Sequence, residues 1–458
     1  MSTFPVIDPA TLETIADVPD QGLDEARQAV DAAAGAFRNW SRTAPRRRSE
    51  ILHRTFELML RDRDELAQLI SRENGKSLVD ATGEVNYAAE FFRWFAEEAV
   101  RPGGDYGEAP AGGSRTLVSH GPVGVAALVT PWNFPAAMIT RKIGPALAAG
   151  CTAVVKPAAE TPLTALAISR LLTEAGLPDG VVTVVTTTDA PGVVGAWLAD
   201  QRVRKISFTG STGIGRVLLR QAADRVVNSS MELGGNAPFI VTEDADLDAA
   251  VAGAMIAKFR NGGQACTAAN RFFVHAAVAD EFLARFGAAV EKLTVGAAAD
   301  GSAIGPLISE NAVRRVTRTV EKLIEAGARI THRAPVPEAA GHFYPPTVLV
   351  DAPNLPEEIF GPVAPITTWT DEDALIEQVN ATEYGLAAYV FAGDLARAIR
   401  LGESIEAGMI GINRGLVSDP SAPFGGMKQS GLGREGARDG LREFQETRYL
   451  SVDWPTLS

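Results

Sequence analysis

VAALV at 125–129, CTAVV at 151–155, VVTVV at 181–185 and KISFT at 205–209 are four short apolar runs. They recur about 25 to 30 residues apart, the period of a strand, a crossover helix and two turns. Helical stretches such as MITRKIGPALAAG separate them, with Gly150 and Gly176 placed as C-terminal caps. Alternation of this kind predicts a parallel sheet covered by crossover helices, whose ligands bind beyond the carboxyl ends of the strands. Pro131, Lys156 and Gly210 stand at those ends. The usual GxGxxG after a first strand is absent, and GSTGIG at 210–215 is a GxxGxG in a different place. A glycine turn that opens a helix still offers free backbone N–H groups and a positive dipole end, which suit a pyrophosphate; Ser211 adds a hydroxyl. The same residues would also make an ordinary N-cap.

Outward from this sheet, residues 231–271 carry the chemistry. MELGGNAPF at 231–239 holds Glu232, and NGGQACTAANR at 261–271 holds Cys266. A thiol with an unperturbed pKa of about 8.5 is only roughly 3% thiolate at pH 7, so a cysteine nucleophile needs a base, a cation or a helix start nearby. Glu232 could be the base. Gly262 and Gly263 allow a tight turn before Cys266, and Gly234 and Gly235 allow a ligand close to the main chain. Taken singly, Cys266 reads equally as a small buried hydrophobe and Glu232 as a strand-end acid.

Five further segments remove that ambiguity: PWNFP at 131–135, KPAAETP at 156–162, FTGSTGIG at 208–215, EEIFGPV at 357–363 and PFGGMKQSGLGRE at 423–435. With MELGG and GQAC, in this order, the chain resembles the aldehyde dehydrogenase superfamily over essentially its whole length. The runs WNFPAAMITRK, KFRNGGQAC and SAPFGGMKQSGLGREG resemble the succinate-semialdehyde dehydrogenase branch most strongly.

The resemblance implies a variant Rossmann cofactor domain over 1–107 and 124–232, an α/β catalytic domain over 233–440, and a β-arm for oligomerisation over 108–123 and 441–458. It implies a thiohemiacetal and then a thioester on Cys266. Asn133 and the Cys266 N–H would bind the oxyanion, Glu232 would activate the hydrolytic water, and Lys142 would titrate nearby, with Glu435 a distal carboxylate. NADP or NAD would lie along Thr130, Pro131, Trp132, Lys156, Ala158, Ala159, Glu160, Gly210, Ser211, Leu233 and Gly234, with Glu358 on the nicotinamide ribose and Phe360 beside the ring. Strict NAD enzymes of the family carry a glutamate three residues after the lysine, where this chain has Ala159. A carboxylate there repels a 2′-phosphate, so NADP use is expected, with Glu160 as a substitute acid that keeps NAD open. Arg141, Arg260 and Ser418 match positions that grip a substrate carboxylate, and Phe424 matches a tunnel wall. The expected substrate is therefore a short aldehyde with a distal carboxylate, succinate semialdehyde first, with a broad aliphatic or aromatic aldehyde dehydrogenase as the alternative. Asp419 counts against it if its carboxylate turns into the tunnel. Some members of the branch carry a second cysteine two residues after the nucleophile; here Ala268 stands there, so no disulfide switch is expected.

Composition narrows the remaining choices. Over 458 residues, 46% apolar, acids outnumber bases 56 to 43, for a formal charge of −13, which argues against a nucleic-acid surface. RRR at 46–48 reads as a solvated helix face. The five histidines lack the partners of a thiol hydrolase, and no cluster has metal-ligand spacing. A non-catalytic scaffold would be favoured by loss of nucleophile or base, yet both are present, and Glu232 also disfavours a coenzyme-A-acylating variant. With two cysteines, no membrane-length apolar run and no basic-then-apolar leader, a cytoplasmic, reducing setting is expected, with no membrane partner.

The remaining segments read as scaffold. Residues 1–22 form an irregular or short-stranded entry. From 23 to 100 the pattern is helical, with Leu52, Phe56, Met59 and Leu60 on one face and the aromatics Phe91, Phe92, Trp94 and Phe95 as core. PGGDYGEAPAGG at 102–113 reads as a break. NAPFIV, RFFVH, HFYPPTVLV, APITTW, LAAYVFAG and GMIGIN are expected strands of a second unit, with helices near 279–293, 309–326, 371–381 and 394–404. SRTLVSHG at 114–121 and TRYLSVDW at 447–454 lie outside both cores, and their open edges invite partners. In the family these segments add to a neighbouring subunit's sheet, which implies a homodimer or homotetramer.

Overall fold

The computed structural model describes residues 2–101, 103–354 and 356–454. The four apolar runs become the parallel strands Val125–Val129, Thr152–Lys156, Val182–Val184 and Val203–Thr209, joined by Asn228–Glu232. The sheet order runs from Asn228–Glu232 through Val203–Thr209, Val125–Val129 and Thr152–Lys156 to Val182–Val184. Val125–Val129 and Thr152–Lys156 are buried throughout, as strands covered by helices on both faces must be. Gly150 and Gly176 take φ of 95° and 91° at the ends of the helices Pro135–Ala149 and Pro162–Glu174, as their cap positions predicted.

A sixth strand comes from far along the chain. Gly431–Leu432 pairs antiparallel with Asn228–Glu232, setting Gly431 opposite Glu232. At φ 145° and with an added Cβ only 2.0 Å from the Met231 carbonyl oxygen, position 431 tolerates only glycine. The PFGGMKQSGLGRE segment is thereby tied to the strand that ends at Glu232.

The second unit is a seven-stranded sheet, in the order Arg329–Arg333, Thr347–Val350, Val363–Trp369, Ala269–His275, Ala237–Val241, Ala387–Phe391, Met409–Ile412. Every expected strand is in it. The strand Arg329–Arg333, antiparallel at the edge, and the helix Leu247–Phe259 complete the unit without having been foreseen.

The two arm segments pair with each other over their whole length, from Gln445 opposite Pro122 to Asp453 opposite Ser114. Gly104–Glu108, read from sequence as a break, is the third strand of that sheet. Gly104 explains the misreading: an added Cβ would lie 2.7 Å from the Val118 carbonyl oxygen, so the glycine marks a close strand approach rather than a turn. Positions 455–458 of the expected arm lie outside the described residues. On the helix Pro45–Arg61, Leu52 and Met59 are buried but Leu60 is exposed, so the apolar face is narrower than expected. Phe91, Phe92 and Phe95 are core, with Trp94 packed against it. Among the described residues no helix is long and apolar enough to cross a membrane, and no group of three His, Cys, Asp or Glu is placed to hold a metal ion.

Candidate active site

Cys266 follows a turn that few sequences can make. Asn261, Gly262 and Gly263 take φ of 52°, 60° and 74° in succession, and a Cβ at Gly263 would sit 2.3 Å from the Gly361 carbonyl oxygen. Gly235 has a different role from the one expected: an added Cβ there would lie 2.3 Å from the Cys266 carbonyl oxygen, so the close approach is made by the backbone of Cys266. Asn133 leaves the strand Val125–Val129 just before the helix Pro135–Ala149. Its Nδ2 donates to the Gln264 carbonyl oxygen at 3.1 Å, which leaves the second amide hydrogen for an oxyanion.

Two cavities open on either side of Cys266. One, of about 210 Å³, is lined by Pro131, Trp132, Asn133, Gly210, Ser211, Leu233, Gly234, Glu358 and Phe360, together with Thr209 and Arg315. Trp132 and Phe360 stand edge to face at 5.6 Å. Ser211 accepts from the Ile214 N–H as N-cap of the helix Thr212–Ala223. Glu358 is pushed up to about 8 by burial, opposed by the Gly235 N–H and by Arg315 and Lys258, and its Oε1 is buried with no partner. Of the expected cofactor residues, Thr130, Lys156, Ala158, Ala159 and Glu160 lie outside this lining. Thr130 donates its N–H to the Lys156 carbonyl, Lys156 Nζ donates to the Pro157 carbonyl at 2.6 Å, and burial holds that amine down to about 8 against the pull of Glu160. Ala158 is buried; Ala159 packs against Phe4, Val6 and Val18 of the amino-terminal hairpin.

The second cavity, of about 270 Å³, brings Arg141, Arg260, Ser418 and Phe424 to Cys266, with Tyr87, Phe134 and Met138. The Arg141 guanidinium lies 4.3 Å from the Phe424 ring centroid and 5.2 Å from that of Phe91, and that of Arg260 lies 5.0 Å from Phe134. Asp419 is turned away: its Oδ1 accepts from the N–H and hydroxyl of Ser421, and it is not part of the lining.

Glu232 and Lys142 sit behind these cavities. Lys142 Nζ donates to Glu435 Oε1 at 2.6 Å and to Ser207 Oγ at 2.8 Å, while Arg141 holds the other oxygen of Glu435 at 3.4 Å. Glu232 is 2% exposed, and burial followed by the Glu435 charge raises its carboxyl well above the ordinary value, against Lys142, Arg141 and Arg434. Its Oε2 makes no bond. The Cys266 thiol is pushed up to about 12 by burial and by the Glu358 and Glu232 charges, against Arg141 and Arg260. Desolvation of this kind favours the neutral thiol over the thiolate. Cys151 is buried in the core behind the first sheet and raised to about 11, mainly by desolvation.

Sequence reasoning missed Tyr87, Lys76, Glu84 and Arg315. Glu84, Tyr87 and Phe91 share one face of the helix Leu78–Ala99, and an acid on an apolar stripe was the available signal. Glu84 accepts from Lys76 and from the N–H groups of Ala136 and Ala137, fixing the start of the helix that bears Arg141 and Lys142. Arg315, on a charged amphipathic helix, had no distinguishing signal.

A family model described as "Aldehyde dehydrogenase family" matches residues 1–450. A succinate-semialdehyde dehydrogenase of Paenarthrobacter nicotinovorans is 52% identical over 438 residues, 94% of this chain and 97% of that one. A glutarate-semialdehyde dehydrogenase of Pseudomonas putida is 48% identical over 455 residues, 98% of this chain and 94% of its own. Among solved structures, an NADP-dependent enzyme of Escherichia coli superposes with a TM-score of 0.97 at 47% identity, covering 99% of this chain and 95% of the other. Near-complete coverage, an all but superimposable fold and a cysteine between two cavities lead to one conclusion: the chain belongs to the aldehyde dehydrogenase family.

Proposed function

We propose that this enzyme oxidises succinate semialdehyde to succinate with NADP or NAD. The observation that carries the reading is the cavity of about 270 Å³ that starts at Cys266 and holds the guanidiniums of Arg141 and Arg260 beside Ser418. Cations lining the cavity gain nothing from a plain alkyl or aryl aldehyde, whereas each offers a planar fork of donors to a carboxylate. The name carried by the Paenarthrobacter relative supports the choice. Steady-state rates with succinate semialdehyde, glutarate semialdehyde, butanal, hexanal and benzaldehyde, with both cofactors, test it; a preference for hexanal or benzaldehyde refutes it.

The first cavity fits a nicotinamide nucleotide. The unpartnered Glu358 Oε1 needs donors such as ribose hydroxyls, and Ser211 and the helix start at Thr212 offer N–H groups to phosphate. When bound, the nicotinamide supplies a hydride acceptor. In this reading Lys156 and residues 158–160 meet the adenosine ribose. Cys266 adds to the aldehyde as a thiol, with Glu232 as the proton acceptor at hand, and the free Asn133 amide hydrogen meets the oxyanion. After the hydride leaves and Glu232 has passed the thiol's proton to solvent, Glu232 takes a proton from water, the hydroxide adds to the thioester, and Cys266 departs as thiolate to be reprotonated by Glu232. Lys142, bonded to Glu435, holds a positive charge near Glu232. A homodimer or homotetramer built through the arm, in the cytoplasm, belongs to the same proposal; exposed Tyr106, Tyr449 and Leu450 on the arm sheet support it.

Two outcomes follow. Arg260→Ala removes one of two cations from a carboxylate site and is expected to cost about 2 to 5 kcal/mol in kcat/KM for succinate semialdehyde, mainly in KM, with butanal unchanged or improved. Equal damage to both substrates would rule the assignment out. With alanine at 159 packed on the hairpin, no carboxylate stands at that position to repel a 2′-phosphate, so NADP is expected to be used at least as well as NAD. A thousandfold preference for NAD in kcat/KM would refute the argument.

A further inference from the structure

We infer that Tyr87 is a substrate-binding and specificity-determining residue, whose phenolic hydrogen is donated to the distal oxygen acceptor of the substrate. The inference rests on the acid-aldehyde reading and adds to the Arg141, Arg260 and Ser418 set a second neutral hydroxyl donor, this one on a rigid aromatic ring. Arg141 Nη2 donates to Tyr87 Oη at 2.6 Å. A phenol that accepts from a guanidinium must direct its own hydrogen elsewhere, because the arginine offers only donors. The Ser418 hydroxyl is within hydrogen-bonding reach of the phenol, and both residues line the cavity that begins at Cys266. Burial raises the phenol above its ordinary value, so the hydrogen is retained through the working range, and Tyr87 enters the cavity as a neutral donor beside two cations.

The ring is well held. It packs edge-on against Phe91 at 5.0 Å and 70°, and the Arg141 guanidinium lies 5.6 Å from its centroid. The hydroxyl therefore sits on a rigid helix and loses little freedom when it bonds a ligand. A carboxylate bound between Arg141, Arg260 and Ser418 would present lone pairs to three donors of different kinds. The phenolic hydroxyl, unlike the two guanidiniums, does not depend on the ligand's charge, so it recognises any oxygen acceptor at the right distance from the aldehyde.

That distinction gives the test. Tyr87→Phe keeps the ring and removes the hydrogen; it is assayed with succinate semialdehyde, with its methyl ester (an uncharged acceptor at the same position) and with butanal, which has no acceptor. The expected result is a rise in KM of about tenfold for the first two, kcat within about twofold for all, and no change with butanal. A rise confined to succinate semialdehyde would mean that the hydroxyl acts only by positioning Arg141, and would overturn the inference. So would an equal rise with butanal, which would mark a structural role, or no rise at all. Succinate binding by calorimetry gives a second readout that needs no turnover, and unchanged affinity in Tyr87→Phe also overturns it. A wild-type enzyme that prefers butanal to succinate semialdehyde fails the acid-aldehyde reading itself, whereas a proper acid preference with an unaffected variant fails this inference alone.

Discussion

Cys266→Ala is expected to lower aldehyde oxidation by at least about 10⁴-fold and to abolish any esterase activity, because among the described residues Cys266 is the one side chain that lines both cavities. The cause must be chemical rather than structural. Cys266 is only partly buried at the edge of the second unit's core, and losing one sulfur there costs about 1 kcal/mol. The variant should therefore match wild type in near-UV circular dichroism and bind cofactor normally. Ordinary turnover in Cys266→Ala would end the assignment. Cys151 offers no rescue, since it is fully buried and bonded to the Phe444 carbonyl oxygen.

Glu232→Gln should separate the two halves of the reaction. Thiol addition and hydride transfer together release one proton, which Glu232 accepts in the wild type and water can accept more slowly, so the first half slows but still proceeds without a carboxylate. Hydrolysis of the thioester needs a proton taken from water, and here the loss should reach about 10² to 10⁴-fold. A burst of about one equivalent of reduced cofactor per site, followed by slow turnover, is the expected trace. Steady turnover near the wild-type rate with no burst would refute the assignment of Glu232 as base.

The same substitution carries a pH signature. Burial and the Glu435 charge raise the Glu232 carboxyl, so the wild-type hydrolytic rate should climb on an acid limb displaced upward from the usual carboxylate range, and Gln should remove that limb. For stability the sign is opposite. A folded-state carboxyl raised above its unfolded value makes the native state bind more protons, so its contribution is complete below the unfolded value and is lost as pH rises. At pH 8 the glutamine variant should thus be as stable as wild type or more so in thermal unfolding, which keeps the loss of activity from being read as misfolding.

The sequence by itself determined the alternation of strands and helices and the helix caps at Gly150 and Gly176, and it singled out Glu232 and Cys266 as the proposed base and nucleophile, because each is set by local periodicity, backbone conformation or side-chain chemistry at short range. The close approaches misled it. Gly104 and Gly235 looked like a turn and a ligand seat, yet each is a glycine because another segment's carbonyl lies within 2.7 Å of where a Cβ would be. Tyr87 and Glu84, 54 and 52 residues before the groups they bond, were legible only as polar marks on an apolar stripe. What tertiary structure alone decided is how the charges are shared. Glu435, 293 residues from Lys142, is gripped by both Lys142 and Arg141, and Asp419 folds back onto Ser421 instead of facing the cavity. Burial then holds the Cys266 thiol and the Glu232 carboxyl in their protonated directions, which no residue type or spacing could convey, because desolvation depends on what the rest of the chain packs around a group.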